Sequence, residues 1–440
     1  MVLLIKMNPS PIDRKNIEVM APAGTFEAMR AAVGAGADAV YFGVEHLNMR
    51  SGSTRNFRTG DLPLIARYCR MQGVKTYLAL NTIIYDNEIN LSRHVIDEAA
   101  RAGISAVIVS DQSVISYARE KGITVHLSTQ LNISNFETVR FYAQFADVMV
   151  LARELTLDQI AEISRQIGLN QVKGPSGKLI RLELFVHGAL CMAVSGKCYL
   201  SLHQYNTSAN RGSCLQACRR AYRVEDIESG DELEIDNQYI MSPKDLSTIH
   251  FIDRILAAGI TVLKIEGRAR PPEYVNTVTS CYREAVESLA DGSYNPEKVK
   301  NWNERLSTVF NRGFWDGYYL GQRLGEWSPV YGSKATRRKK YLGKGTNYYP
   351  RISVAEFLLE NGDLAIGDEV LVIGPTTGLI RLTIDEIHTD KGRVERAQKG
   401  ERAAIRCPRK MRPSDKLYKW EDAESTLPDI GVPDPDNMGE

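Results

Sequence analysis

Apolar residues along this chain come in short β-branched runs, separated by longer stretches in which they recur every three or four positions. The runs at 17–21, 38–43, 74–80, 106–110, 124–128, 148–151, 182–187 and 262–266 read as strands. Several are almost unbroken by polar residues, as parallel strands covered on both faces require. The stretches between them, such as 26–33 and 155–167, have helical periodicity. Glycines at 34, 73, 103, 122 and 168 stand where helix C-caps are expected. Eight strand–helix repeats predict an α/β fold, a (β/α)8 TIM-type barrel, with an open doubly wound sheet as the alternative.

In a barrel, the residues that follow the strands form the catalytic face. Here these are Pro22, Gly24, Glu45, Asn81, Asp111, Gln112, Thr129, Gln130, Arg153, Glu154, His187, Gly267 and Arg268, a mostly polar set. Turn chemistry also enriches Gly and Asn at such places, so the set says more than any member. The interval after the seventh strand is far longer than one repeat needs, and predicts an insertion at about 188–240 on that face. The barrel domain is expected to span 1–335. Alternating short runs beyond it, with Gly/Asp turns, predict a small C-terminal β-barrel at 340–424. The Pro-rich acidic tail, 425–440, reads as disordered.

With 440 residues, 43% hydrophobic and 25% charged, the chain has the composition of a globular protein. A net charge of +1 gives no global attraction to nucleic acid or membrane, so such a partner needs a local patch. The N-terminal apolar run breaks at Lys6, too early for a signal-peptide core or a membrane span, and the expected location is cytoplasmic. Thiols stay reduced there. Four of the seven cysteines gather as Cys191-x6-Cys198-x15-Cys214-x3-Cys218 amid glycine and serine, and point to a metal centre. Structural zinc favours closer pairs, a habit that only Cys214 and Cys218 fit. An iron–sulfur cube is wider and tolerates this spacing. Zinc, or buried thiols acting as small hydrophobes, are the alternatives. Cys69, Cys281 and Cys407 read as core residues.

Other candidates are weaker. His187 and His203 suit a substrate-facing or structural role better than ligation. Arg153-Glu154 and Glu266-Gly267-Arg268 stand at strand ends, where a guanidinium can clamp a carboxylate or phosphate or simply close an internal ion pair. The segment 50–57 adds two arginines in a glycine-bearing loop, a candidate anion-binding lid. Arg337, Arg338, Lys339 and Lys340, followed by Tyr341, Tyr348 and Tyr349, form a candidate RNA-binding strip or a solvated charge run. No HExxH, GxSxG or Walker A sequence occurs.

The segment from Glu183 to Ser201, ELFVHGALCMAVSGKCYLS, resembles the signature of the peptidase U32 family, with Glu183, Phe185, Gly188, Cys191, Gly196, Cys198 and Ser201 in register. Met20-Ala21-Pro22-Ala23-Gly24, Ser128-Thr129-Gln130, Ser242-Pro243-Lys244-Asp245-Leu246 and Lys264-Ile265-Glu266-Gly267-Arg268 extend the likeness over nearly the whole chain. The family is named for collagenase-like activity, yet several branches resemble oxygen-independent hydroxylases with a 4Fe–4S cluster on four cysteines. The arrangement of barrel plus one β domain is most similar to the tRNA hydroxylation branch. That resemblance implies 5-hydroxyuridine formation at the wobble position of tRNA, prephenate as the small carboxylate co-substrate, and an electron donor that the sequence does not name. Other branches act on ribosomal RNA or a quinone precursor, and a peptidase is the alternative activity. Carried over by position, the cluster ligands are Cys191, Cys198, Cys214 and Cys218. Some relatives have a cysteine after Asp-Leu where this chain has Ser247, so the fourth ligand comes from the Cys214/Cys218 pair.

Overall fold

The computed structural model describes residues 13–52, 56–220, 222, 241–322, 325–328 and 332–423. The expected tail at 425–440, part of the 50–57 loop and most of 221–240 lie outside them.

Strands β1 (Glu18–Pro22), β2 (Ala39–Phe42), β3 (Lys75–Leu80), β4 (Ala106–Val109), β5 (Thr124–Leu127), β6 (Val148–Val150) and β7 (Arg181–Gly188) pair in parallel, each with the next. A short β8 (Asp245–Ser247) follows the insertion, and β9 (Ile260–Ile265) then pairs in parallel with both β7 and β1. That double pairing closes an eight-stranded parallel barrel and excludes the open sheet. The predicted strands fall within about two residues of the observed ones. Two small strands were not legible: β8, antiparallel to β7, and β10 (Phe314–Trp315), parallel to β8. At two or three residues each, they are too short to show a period.

The barrel helices are α1 (Phe26–Gly34), α2 (Leu62–Met71), α3 (Ile89–Ala102), α4 (Gln112–Glu120), α5 (Phe136–Tyr142), α6 (Leu157–Leu169), α7 (Leu200–Tyr205, in the insertion), α8 (Ile252–Ala257), α9 (Pro272–Ala290) and α10 (Pro296–Ser307). Local chemistry starts them: Thr25, Asp111, Asn135, Thr156 and Asn295 each accept a first-turn N–H at the N-cap. Gly73, Gly103 and Gly122 take positive φ after helices, as expected of caps. Two of the expected caps move. Gly168 lies inside α6, with the left-handed residue at Gln171, and α1 includes Gly34, with Gly36 taking positive φ.

The second domain begins at β11 (Arg337–Tyr349), a few residues before the expected boundary. It continues through β12 (Val354–Leu359), β13 (Leu364–Ala365), β14 (Glu369–Gly374), β15 (Gly378–Thr383), β16 (Ile387–Thr389), β17 (Gly392–Val394), β18 (Arg396–Ala397), β19 (Arg402–Arg406) and β20 (Lys416–Asp422). Eight of these form one antiparallel sheet, and β13 pairs with β18. Its inner face buries Leu342, Phe357, Val370, Ile387 and Leu417. Leu371, Ile373, Leu379 and Trp420 instead join the barrel's core cluster, where β15 packs against α1 and α9. Among the described residues, no helix is long and apolar enough to cross a membrane.

Candidate active site at the barrel mouth

The barrel interior is not wholly apolar. Glu183, Lys264 and His126 interrupt otherwise apolar strands and point inward, where they meet. The Lys264 ammonium donates to Glu183 Oε1 at 2.7 Å, and His126 Nδ1 lies 3.5 Å from Glu183 Oε2. Burial alone would raise the Glu183 pKa, but Lys264 and His126 outweigh it and hold the carboxyl below its ordinary value. Lower down, Glu18 accepts from Tyr77 and Lys75, each at 2.6 Å. Lys264 Nζ also sits 4.8 Å from the Tyr41 ring centroid and 5.2 Å from that of Phe185, which fixes its position at the floor of a cavity.

That cavity, about 620 Å³, opens at the C-terminal ends of the strands. Glu266 stands at its wall. It accepts from Arg50 at 2.9 Å and lies 3.4 Å from the Tyr41 hydroxyl. Burial would raise its pKa, yet Arg50, Arg153 and Arg268 together bring it down to about 2. Arg268 is buried and donates to Asn48 Oδ1 at 2.9 Å, while Asn48 is held by its own bond to Val44 O at 2.6 Å. Arg153 stacks on Phe185 at 4.0 Å and donates to Ala189 O at 3.3 Å, leaving its buried Nε without a partner. Arg270, Arg312 and Arg219 also line the cavity. Glu266 is the lone carboxylate lining it among the described residues, so its walls favour an anion.

The insertion after β7 forms the roof. Gly188 lets the chain leave the strand at φ +103, where an added Cβ would meet Glu266 O at 2.6 Å. The roof is stitched down by Asn132 to Ser195 O at 3.1 Å, by the Gly52 N–H to Gly212 O at 3.0 Å, and by Arg211 to Glu88 at 2.7 Å. Arg219 donates to Leu190 O and to Pro243 O, tying the two ends of the insertion together. Cys191, Cys198, Cys214 and Cys218 all line the cavity from this roof. Burial pushes the Cys218 thiol up; Arg219 opposes, and the other three thiols add to the rise, so the four sulfurs feel one another's charge. Among the described residues no three His, Cys, Asp or Glu side chains are set to hold a single metal ion. The four cysteines do line one space, and four soft sulfur donors are chemically suited to a thiophilic metal centre or an iron–sulfur cluster.

The strand-end expectations divide. Asn81, Thr129, Gln130, Arg153, Glu266, Gly267 and Arg268 line the cavity, as does His203 from the roof. Glu154 does not; it is exposed in the loop before α6. His187 does not either, since it faces outward from β7 and is buried against Tyr282 and Phe314. Burial, helped by Arg270, lowers its pKa to about 3 and keeps the ring neutral. Asp111 caps α4. Ser247 is in β8, paired with His187 and outside the cavity lining. Of the basic strip, Arg337 is ion-paired with Glu369 and Asp422, Arg338 with Glu421, and Lys339 with Glu273, while Lys340 is exposed. Sequence reasoning missed Lys264, Tyr41 and Asn48. The charged residues inside apolar runs, Leu182-Glu183-Leu184 and Leu263-Lys264-Ile265, were the available signal.

Among known proteins, the chain is 59% identical over 409 residues to a protein named "Collagenase" from Porphyromonas gingivalis, covering 93% of this chain and 99% of that one. It is 30% identical over 394 residues to "tRNA hydroxylation protein P1" of Bacillus subtilis, covering 88% and 90%. The solved structure of the U32 peptidase Mk0906 aligns with 59% of this chain and 95% of its own at 13% identity, with a TM-score of 0.38. Residues 24–329 match peptidase family U32, and with a 59% identical relative aligned almost end to end, the chain belongs to that family.

Proposed function

We propose that the barrel mouth is an enzyme site for oxygen-independent hydroxylation of an RNA base, with tRNA uridine as the substrate. The observation that carries this reading is the convergence of four thiols and several buried or half-buried arginines on one cavity. Cys191, Cys198, Cys214 and Cys218 would hold a 4Fe–4S cluster, which supplies one-electron redox chemistry when bound. Arg153 and Arg268 clamp the carboxylate of a small co-substrate, for which prephenate is the candidate. The unpartnered Nε of Arg153 and the fixed fork of Arg268 suit two carboxylate oxygens. Glu266 keeps Arg50 in place, and Lys264 presents ammonium protons at the floor. Protein purified without oxygen should be brown and hold about four irons. Colourless protein with stoichiometric zinc would remove the redox reading. Mass spectrometry of tRNA nucleosides from a deletion strain should show loss of the 5-hydroxyuridine family, and an unaltered profile would count against this substrate.

Peptide hydrolysis is the second reading, and sequence identity favours it: the 59% relative is named a collagenase, whereas the tRNA hydroxylation relative stands at 30%. A thiol peptidase needs a cysteine and a histidine in contact. His187, four residues from Cys191, is outside the cavity lining; His203 lines it with the four thiols, but no histidine hydrogen-bonds a thiol among the described residues. Gelatin cleavage by metal-free protein, abolished by Cys191→Ala, would establish this reading in place of the first.

A further inference from the structure

The outer surface of the roof has a character of its own. Met192, Val194, Tyr199, Leu202, Tyr205 and Leu215 are each more than a third exposed, Tyr199 by 70%. Exposed apolar side chains are ordinarily scattered singly. Here they crowd one insertion, and Ile83 and Tyr85 extend the patch on the adjoining loop. Arg211 joins the two parts, stacked on Tyr85 at 3.8 Å and donating to Ile83 O at 3.1 Å. Met192, Val194 and Tyr199 also line the cavity, so the patch is continuous with the candidate site.

Among its described residues the charge is one-sided. From Leu184 to Arg220 the chain has no Asp or Glu, although it carries 54 acidic residues in all. Lys197 and Arg220 are exposed and ion-paired to no carboxylate among the described residues, and Arg220 lies over the Tyr205 ring at 5.1 Å. Aromatic faces interleaved with unneutralised cations are how proteins hold unpaired nucleotides: bases stack and phosphates meet the cations. The strip at Arg337, Arg338 and Lys339 is already neutralised by its own carboxylates. The acid-rich residues 225–236 lie outside the described part of the chain.

We infer that the roof, rather than the β-domain strip, is the RNA-docking surface. Unpaired bases of a loop stack on Tyr199 and Tyr205, Lys197 and Arg220 contact the flanking phosphates, and the target base enters the cavity beside Met192. The inference rests on the RNA reading above. The test uses full-length protein purified without oxygen and a fluorescent RNA hairpin with a uridine-rich single-stranded loop, with anisotropy measured over a range of salt. Tyr199→Ala should weaken binding about tenfold. Lys197→Glu combined with Arg220→Glu should weaken it further and reduce the salt slope by about one to two. Arg338→Glu combined with Lys340→Glu should change it less than about twofold. All these side chains are exposed, and that of Arg220 bonds only to the Tyr205 hydroxyl among the described residues, so thermal melts should coincide and exclude misfolding. If the roof variants bind like the parent while the strip variant weakens, the surface is wrongly placed but the RNA reading survives. If the parent binds gelatin peptides in a Tyr199-dependent way and no RNA, the roof is a peptide surface and both readings fall. Binding of neither ligand at low salt would also overturn both.

Discussion

Glu183 and Lys264 show what a charged pair does inside an apolar barrel. Each is at most 5% exposed, so each charge is tolerable chiefly because the other is 2.7 Å away. Lys264→Met should therefore destabilise the fold by about 3–5 kcal/mol, by leaving a buried carboxylate unpaired. Adding Glu183→Leu should recover most of that loss in urea denaturation, and failure to recover would mean the pair is not the dominant interaction there. His187 gives a pH signature of opposite origin. The unfolded ring takes up a proton near pH 6.5, whereas the buried ring resists protonation down to about 3. The unfolded chain thus binds more protons between these values. Stability is complete above pH 6.5 and declines as the pH falls, by about 1.4 kcal/mol per unit from this group. His187→Phe should flatten the stability profile between pH 6.5 and 4 by that slope, and an unchanged profile would show that the ring is solvated.

At the scale of elements, the site depends on loops brought closer than side chains allow. The loop from β1 to α1 approaches the exit of β9 so tightly that a Cβ on Gly24 would lie 1.9 Å from the Arg268 carbonyl oxygen. Gly24→Ala must therefore push the two loops apart. The expected result is a destabilisation of about 1–3 kcal/mol and loss of the Arg268–Asn48 bond, with weaker binding of a carboxylate ligand by calorimetry. Undiminished binding would mean that Arg268 does not clamp the ligand. The strands were legible because both faces of each are covered, which leaves a run of apolar residues. The roof was legible as an over-long interval bearing the four cysteines, but its anchoring was not, since its contacts to Gly52, Asn132 and Glu88 come from three separate loops. The outward direction of His187 was lost for a related reason: a β-irregularity lies between Phe185 and His187 in the pairing of β7 with β9, which breaks simple alternation.

Across the whole molecule, the two domains share one interior. Trp420, 4% exposed, and Leu371, Ile373 and Leu379 of the antiparallel sheet pack into the barrel's core cluster. Lys339–Glu273 at 2.8 Å and Arg30 to Pro375 O at 2.8 Å border that contact. The domains should therefore unfold in a single calorimetric transition. Trp420→Ala should lower stability by about 3–5 kcal/mol and separate the transition into two. Two transitions in the parent protein would show that the shared core does not couple them.

The sequence by itself determined the repeat, the number of strands, the position of the insertion and the four thiols. All of these follow from local periodicity, spacing and residue chemistry, and the family's motifs were legible in the same residues. Only the tertiary structure decided which charges meet. It brought Arg50 to Glu266 across 216 positions of chain and Lys264 to Glu183 across 81, and it spent most of the basic strip on the protein's own carboxylates. It also left Glu154 in solvent and buried His187. Neighbours along a strand can be read from alternation, whereas partners across a closed barrel depend on shear, loop path and burial, which no local pattern encodes.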